Sequence, residues 1–394
     1  MFRHSIHTAS LCSVLLAALL VSLSLARGAT AQNTFLGTGA LQNNTTGLFD
    51  TAIGFDALFS NTMGNNNTAV GFDALFLNTT GNDNTANGFE ALFSNTTGND
   101  NTANGFEALF KNTTGKENTA NGAAALFTNT IGNDNTAAGF QALVSSTTGN
   151  NNTANGFVAL FSNTTGNDNT ANGAGTLAKN TTGNDNTAVG FQALNNNLTG
   201  STNTAIGAFA NVAAGAGNLV NATAIGTGAL VDASNKIRLG NTAVTVIEGQ
   251  VALTVVSDKT TKENFQPVDG EAVLEKMRGL ELVSWNFIGH DPQQFRHYGP
   301  MAQDFFAAFG HDGVGQIGSE TTINSGDMAG ILMIAVQALE QRTAELKQKE
   351  AQIAVLQAQV EDLKAKHASV VETVAARLER LEAAAARAAT LASR

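Results

Sequence analysis

A threonine recurs every seventeen residues from Thr34 to Thr204, through Thr51, Thr68, Thr85, Thr102, Thr119, Thr136, Thr153, Thr170 and Thr187, without a slip. Three residues after each comes a glycine, from Gly37 to Gly207. The consensus reads N-T-A-x-G-F-x-A-L-F-x-N-T-T-G-N-D. A fixed period with fixed apolar positions is the mark of a repeat architecture. Seventeen residues are too few for a pair of helices, and the Asn, Thr and Gly content opposes helix. The period suits one coil of a parallel β-solenoid or β-roll. We expect two short strands per coil, around T-A-x-G and A-L-F, joined by N-T-T-G-N-D-N turns whose Gly and Asn accept positive φ.

Stacking such coils places like residues about 4.8 Å apart, so eleven rungs make a rod about 50 Å long. Phe55, Phe72, Phe89 and Phe106 then form an aromatic ladder with Leu58, Leu75, Leu92 and Leu109 beside it. Asn84, Asn101, Asn118 and Asn135 form an amide ladder. Two carboxylate ladders also arise, at Asp56, Asp73, Glu90 and Glu107 and at Asp83, Asp100, Glu117 and Asp134. Like charges this close need solvent or a cation between them. GNDN resembles part of a calcium turn, but the calcium-binding nonapeptide is missing, which favours a solvated face and no metal. The N-T-T triplets match glycosylation sequons, a match that comes almost free in a repeat built of turns.

The repeats resemble the heads of trimeric autotransporter adhesins, which build a β-roll from AIG and GxxA elements. The likeness covers about residues 33–231 and rests on NTAIGAFA at 203–210 and ATAIGTGAL at 222–230. The seventeen-residue period is longer than the usual adhesin repeat, and no C-terminal membrane barrel pattern follows, so a complete autotransporter is not expected.

Residues 1–31 read as a secretory signal. A weakly basic start precedes an apolar run and the small residues of ATA, with cleavage expected after Ala31. The alternative, an uncleaved anchor, needs a longer apolar run. Cys12, the only cysteine, lies in this segment behind Leu11, where a lipoprotein signal wants a small residue. The mature chain thus has no thiol for disulfides or metal. A net charge of −11 argues against nucleic acid or an anionic membrane as partner. We expect an exported protein, extracellular or on a cell surface, with no membrane span after signal removal.

The repeat is expected to end at 231. Residues 232–256, which include NKIRLGNTAVTVIEGQVALTVV, read as strands of a narrow stalk. The composition then changes: Pro267, Pro292, Pro300, Trp285 and Tyr298 all fall between 257 and 325. A small α+β domain is expected over 257–338, with a helix over 270–278, a strand, a strand end at HYG, a second helix and a third starting near Asp327. His290, His297 and His311 fit no metal spacing and read as surface or core residues.

Ser257-Asp258-x-x-x-Lys262, then LVSWNF, then YGPMAQDF, then AVQAL in a C-terminal helix resemble the self-cleaving C-terminal chaperone of phage endosialidase tailspikes. This family of serine peptidases also closes many bacterial tail-fibre-like proteins. The likeness covers about residues 257–342 and several ordered elements. It implies a domain that helps three chains trimerise and fold, then cuts itself off before the motif serine. Carried over, Ser257 is the nucleophile, Lys262 the general base, and the scissile bond joins Val256 to Ser257. A lysine accepts a serine proton only when burial favours its neutral amine, as assembly could arrange. Release would make the fold hard to reverse. Asp258 matches the motif and shapes the turn. Thr261 stands where the family often has a bulkier residue. The plain alternative is a solvated turn with Ser257 and Lys262 in its caps.

Residues 339–394 read as a coiled coil. Leu339, Leu346, Ile353, Val360, His367, Val374 and Leu381 keep a period of seven, with Leu356, Leu363 and Val370 three residues after their partners. Near His367 the seam shifts onto Val371, Val374, Leu378, Leu381 and Ala385, a stutter. Ile and Val at one core position with Leu at the other favour two strands, whereas the resemblance implies three. The whole reads as an exported homotrimeric fibre, structural or adhesive, whose only chemistry is one cut per chain and whose receptor would be a surface glycan or protein. Alternatives are a fibre with a permanently attached trimerisation domain and a tailspike-like polysaccharide-degrading enzyme. The monotony of the repeats speaks against the second.

Overall fold

The computed structural model describes residues 32–250 and 257–392, so the expected signal at 1–31 and the Val256 side of the expected cut lie outside the described residues. The chain divides into two compact units between Val246 and Ile247.

The first unit is a parallel β-solenoid of about 12 turns. Thirteen three-residue strands form one sheet, from Thr34–Leu36 to Ile237–Leu239. Each strand pairs with the next in register at an offset of seventeen residues, as in Thr85↔Thr102 and Ala86↔Ala103. The offset becomes nineteen at Thr204↔Thr223 and fourteen at Thr223↔Ile237. The sheet therefore continues past residue 231. Within the expected stalk, residues 237–239 are its only described strand, and they belong to the solenoid.

Each coil carries one strand of this sheet. The expected second strand forms among the described residues only in the last coils, where Asn211–Val212 pairs in parallel with Leu230–Val231. The A-L-F segment is a turn in which leucine adopts left-handed backbone, with φ of 52° at Leu58, 54° at Leu75 and 53° at Leu92. That conformation costs a residue with a side chain about 1–2 kcal/mol. Two gains offset it. The leucine is fully buried, which stabilises by about 2 kcal/mol. Its N–H still reaches the next rung, as in Leu75 N to Ala91 O at 3.0 Å. Closing a coil in seventeen residues needs sharp corners, and a second strand would flatten one of them.

The interior is half apolar and half amide. Ala86, Ala91 and Leu92 supply the apolar part of one coil, all at 0% exposure. Asn84 and Asn95 supply the amide part, equally buried. Asn84 Nδ2 donates to Asn67 Oδ1 of the preceding rung at 3.1 Å and to Gly98 O at 2.9 Å. Asn95 Nδ2 donates to Asn78 Oδ1 at 2.8 Å and to Gly98 O at 3.0 Å. A buried amide is tolerable because nearly all its bonding capacity is used. The phenylalanine ladder forms as expected, with ring centroids 5.2, 5.2 and 5.3 Å apart from Phe55 to Phe106. It stands on the outside, however, half-exposed, while the leucines take the core.

Ser146 in the Asn95 ladder and Asp50 in the Asn84 ladder depart from the amide pattern. Asp50 occupies the position held by Asn33, Asn67 and Asn84, and it is fully buried. Its Oδ1 accepts from Asn67 N at 2.9 Å and Asn67 Nδ2 at 3.2 Å, and its Oδ2 from Asn61 Nδ2 at 3.0 Å. Burial raises its carboxyl from the ordinary 3.8 to about 6 against the pull of these donors. A raised carboxyl binds its proton more tightly in the native state, so stability falls as pH rises from about 4 through 6. Asp50→Asn restores the ladder amide and removes the ionisation. It should stabilise the solenoid by about 2 kcal/mol at pH 7.5 and by much less at pH 4. Thermal unfolding of both proteins at the two pH values checks this; an equal gain at both would discard the ionisation account.

The second unit is built on three helices. Helix α1 (Gly270–Arg278) starts at Asp269, whose carboxylate accepts from Glu271 N at 2.9 Å. An antiparallel hairpin follows, Val283–Trp285 with His297–Gly299. Helix α2 (Ala302–Phe309) packs Phe305 and Phe309 against Val273 and Ala335. Helix α3 runs unbroken over Ser325–Ala392. Its first turns bury Ala335 and Ala338. Arg342 then clasps Glu271 of α1 with a two-pronged ion pair. Past this point the helix is exposed throughout, and the heptad residues from Leu339 to Leu381 form a bare apolar seam. Among the described residues no helix is long and apolar enough to cross a membrane.

Candidate functional site

Ser257 opens the stretch of described residues that runs to 392, and a single 3₁₀ turn follows it at Lys259–Thr261. Asp258 makes the turn. Its side chain accepts from Thr260 N at 2.9 Å, and its carbonyl accepts from Thr261 Oγ1 at 2.8 Å and Thr261 N at 3.2 Å. The backbone N–H of Thr260, and then its side chain, hold the Asp258 carboxyl below the usual carboxylate range. Asp258 is thus committed to shaping the chain, as the sequence indicated.

Past the turn the backbone is extended at Lys262. The five-residue spacing returns this side chain to the start: Lys262 Nζ donates to Ser257 Oγ at 2.5 Å. Lys259, two residues from the serine, points to a different partner, its Nζ lying 5.7 Å from the centre of the Phe265 ring. One lysine of the two therefore meets the hydroxyl, and it is the one the motif marks. A serine hydroxyl beside an amine can lose its proton to that amine once the amine is neutral, and then becomes a nucleophile. Both side chains are open to solvent in the single chain.

The histidines lie elsewhere, in ring clusters. His297 stacks on Trp285 at 4.6 Å, His290 meets Phe287 and Phe295 edge-on, and His311 meets Phe306. Hairpin register sets the first contact, because Trp285 pairs directly with His297. Sequence spacing carried no trace of the cluster beside it, in which Arg296 donates to Ser284 Oγ and Asn286 Nδ2 donates to His290 O. Among the described residues no group of three or more His, Cys, Asp or Glu is placed to hold a metal ion. The aspartates of the carboxylate ladders have a backbone rationale, which the glutamates at the same left-handed positions, such as Glu90 and Glu107, lack. Asp56, Asp73, Asp83 and Asp100 all take left-handed φ between 50° and 59°, which aspartate tolerates better than most residues. At Asp73, desolvation first and then the neighbouring Asp56 raise the carboxyl.

Residues 257–313 match the family model for the chaperone of endosialidase. No curated protein matches the chain. The chaperone-of-endosialidase match begins at Ser257 itself and takes in the 3₁₀ turn, α1, the hairpin and α2. It stands C-terminal to the solenoid, the arrangement that the motif order had indicated.

Proposed function

We propose that this chain is a tail-fibre-like protein whose C-terminal chaperone of endosialidase assembles three copies and then cuts itself free. The observation that carries the proposal is the Lys262 Nζ to Ser257 Oγ contact at the first residue of the family match. The reaction would run in two steps. Neutral Lys262 takes the Ser257 hydroxyl proton as Oγ attacks the carbonyl carbon of Val256, and the C–N bond breaks as its nitrogen gains a proton. Water then hydrolyses the ester, leaving a Val256 carboxylate and a restored Ser257 hydroxyl on the departing fragment. Covering Lys262 with neighbouring copies would strip its solvent and favour the neutral amine, so cutting would follow assembly.

The seam on α3 supports the assembly. Leu346, Ile353, Leu356, Val360 and Leu363 are each about half-exposed in the single chain. A heptad pattern of this kind is stable only when other helices cover it. An exported location, with residues 1–31 as a cleaved signal, completes the reading.

The test is the intact mass of the purified full chain, with its molar mass in solution by light scattering. A three-chain assembly and a fragment starting at Ser257 are expected. The variant Leu356→Asp/Leu363→Asp should stay monomeric and uncut. A wild-type trimer that remains full length would reduce the domain to a permanent clasp. Cutting by the monomeric variant would remove the link between assembly and chemistry.

A further inference from the structure

Half-exposed phenylalanines line the outside of the solenoid in three runs: Phe55, Phe72, Phe89 and Phe106, then Phe140 and Phe157, then Phe191. Ala123 and Ala174 break the row. Neighbouring rings lie nearly parallel, at 7° between Phe72 and Phe89 and 11° between Phe140 and Phe157. Ring faces are therefore spent on one another along the row, and edges are left to the outside. A sugar, which seeks a ring face, finds few free here. At about 200 Å² per ring and half exposure, these phenylalanines alone leave about 700 Å² of apolar surface. The longest run, of four rings, leaves about 400 Å² of it, as much as the roughly 300–600 Å² of the largest patch on a typical monomer. The three runs together approach the roughly 800 Å² that each partner contributes to a stable protein interface.

The occupant must suit a row of identical edges repeating once per coil. A second copy of this solenoid, lying parallel, has that repeat and meets it rung for rung. We propose that the row from Phe55 to Phe191 is the face along which the solenoids of separate copies pack. This rests on the three-chain reading above and extends it: a cut before Ser257 removes the α3 seam, and the phenylalanine face would then hold the released fibre together. Carboxylates follow the first four rings and oppose such packing. They give way to Ala124, Gln141, Val158, Gly175 and Gln192, so the contact should be tightest around Phe140 and Phe157.

Hydroxyl-radical footprinting of the full-length chain tests this, with solution mass measured on the same sample. Phe140 and Phe157 should oxidise several-fold more slowly in the wild-type assembly than in the monomeric Leu356→Asp/Leu363→Asp variant. Phe140→Asp/Phe157→Asp, at positions outside the core, should keep the circular dichroism of the wild type and raise oxidation of Phe106 and Phe191. Where cutting releases the solenoid, the wild-type fragment should remain three-chain and the variant's should separate. A wild-type trimer whose rings oxidise as fast as the monomer's overturns the packing face alone. A monomeric wild-type chain overturns the assembly reading and the packing face together.

Discussion

Lys262→Arg should leave the chain uncut. The guanidinium keeps the positive charge, can still donate to Ser257 Oγ and fits an exposed turn. It does not release its proton in a protein, so it has no lone pair with which to accept one. A turn held only by its caps would accept the change without consequence. A general base would be lost outright, and we expect the cutting rate to fall at least about 1000-fold. Ser257→Ala should match it by removing the nucleophile, with the assembly intact in both. Intact mass against time after purification reads both rates, and scattering confirms that each variant is still assembled. Cutting at the wild-type rate in Lys262→Arg would mean that Lys262 is not the base, whatever its distance from the serine.

The largest effect on the fold is expected at Gly88→Ala. Gly88 has φ of +148°, a region side-chain-bearing residues avoid, and a Cβ there would sit 2.3 Å from Gly105 O and 2.7 Å from its carbon. The obstacle is backbone of the next rung, and it cannot yield without breaking the register of every strand beyond it. A loss of about 4 kcal/mol or more is expected, in the range reserved for changes with a distinct steric cause. Coils contact only their neighbours, so the damage should begin locally. Amide hydrogen exchange should show lost protection at the coils of Gly88 and Gly105 first. Unaltered protection there would mean that the stack can shift its rise to admit a methyl group. Gly215, whose Cβ would meet nothing within 4 Å but whose φ is +84°, offers the comparison in which conformation acts without contact.

The contact between Lys262 and Ser257 was legible because it is local. Asp258 forms its turn from atoms within three residues, and five residues of chain suffice to return Lys262 to Ser257. Helix α1 was legible for a similar reason, since Asp269 caps it and Gly279 follows it. The ring cluster around His297 was not, because it depends on which residue of one hairpin strand faces which of the other. Spacing alone left Lys259 as near to the serine as Lys262, and only the structure places Lys259 over the ring of Phe265.

The seventeen-residue period by itself determined that the coils stack parallel and in register, since only that arrangement places like residues on like residues at every rung. It also determined the amide ladder, because a row of buried asparagines satisfies itself only by repetition. What the tertiary structure decided was which residues face inward. Phenylalanine and leucine are both apolar, and the pattern alone assigns neither to the inside. The narrow cross-section admits Ala, Leu and Asn and leaves no room for a ring, so the phenylalanines stand outside. The same closure turned A-L-F from an expected strand into a left-handed corner. A chain that must return to its starting angle in seventeen residues bends where a buried leucine can offset the cost.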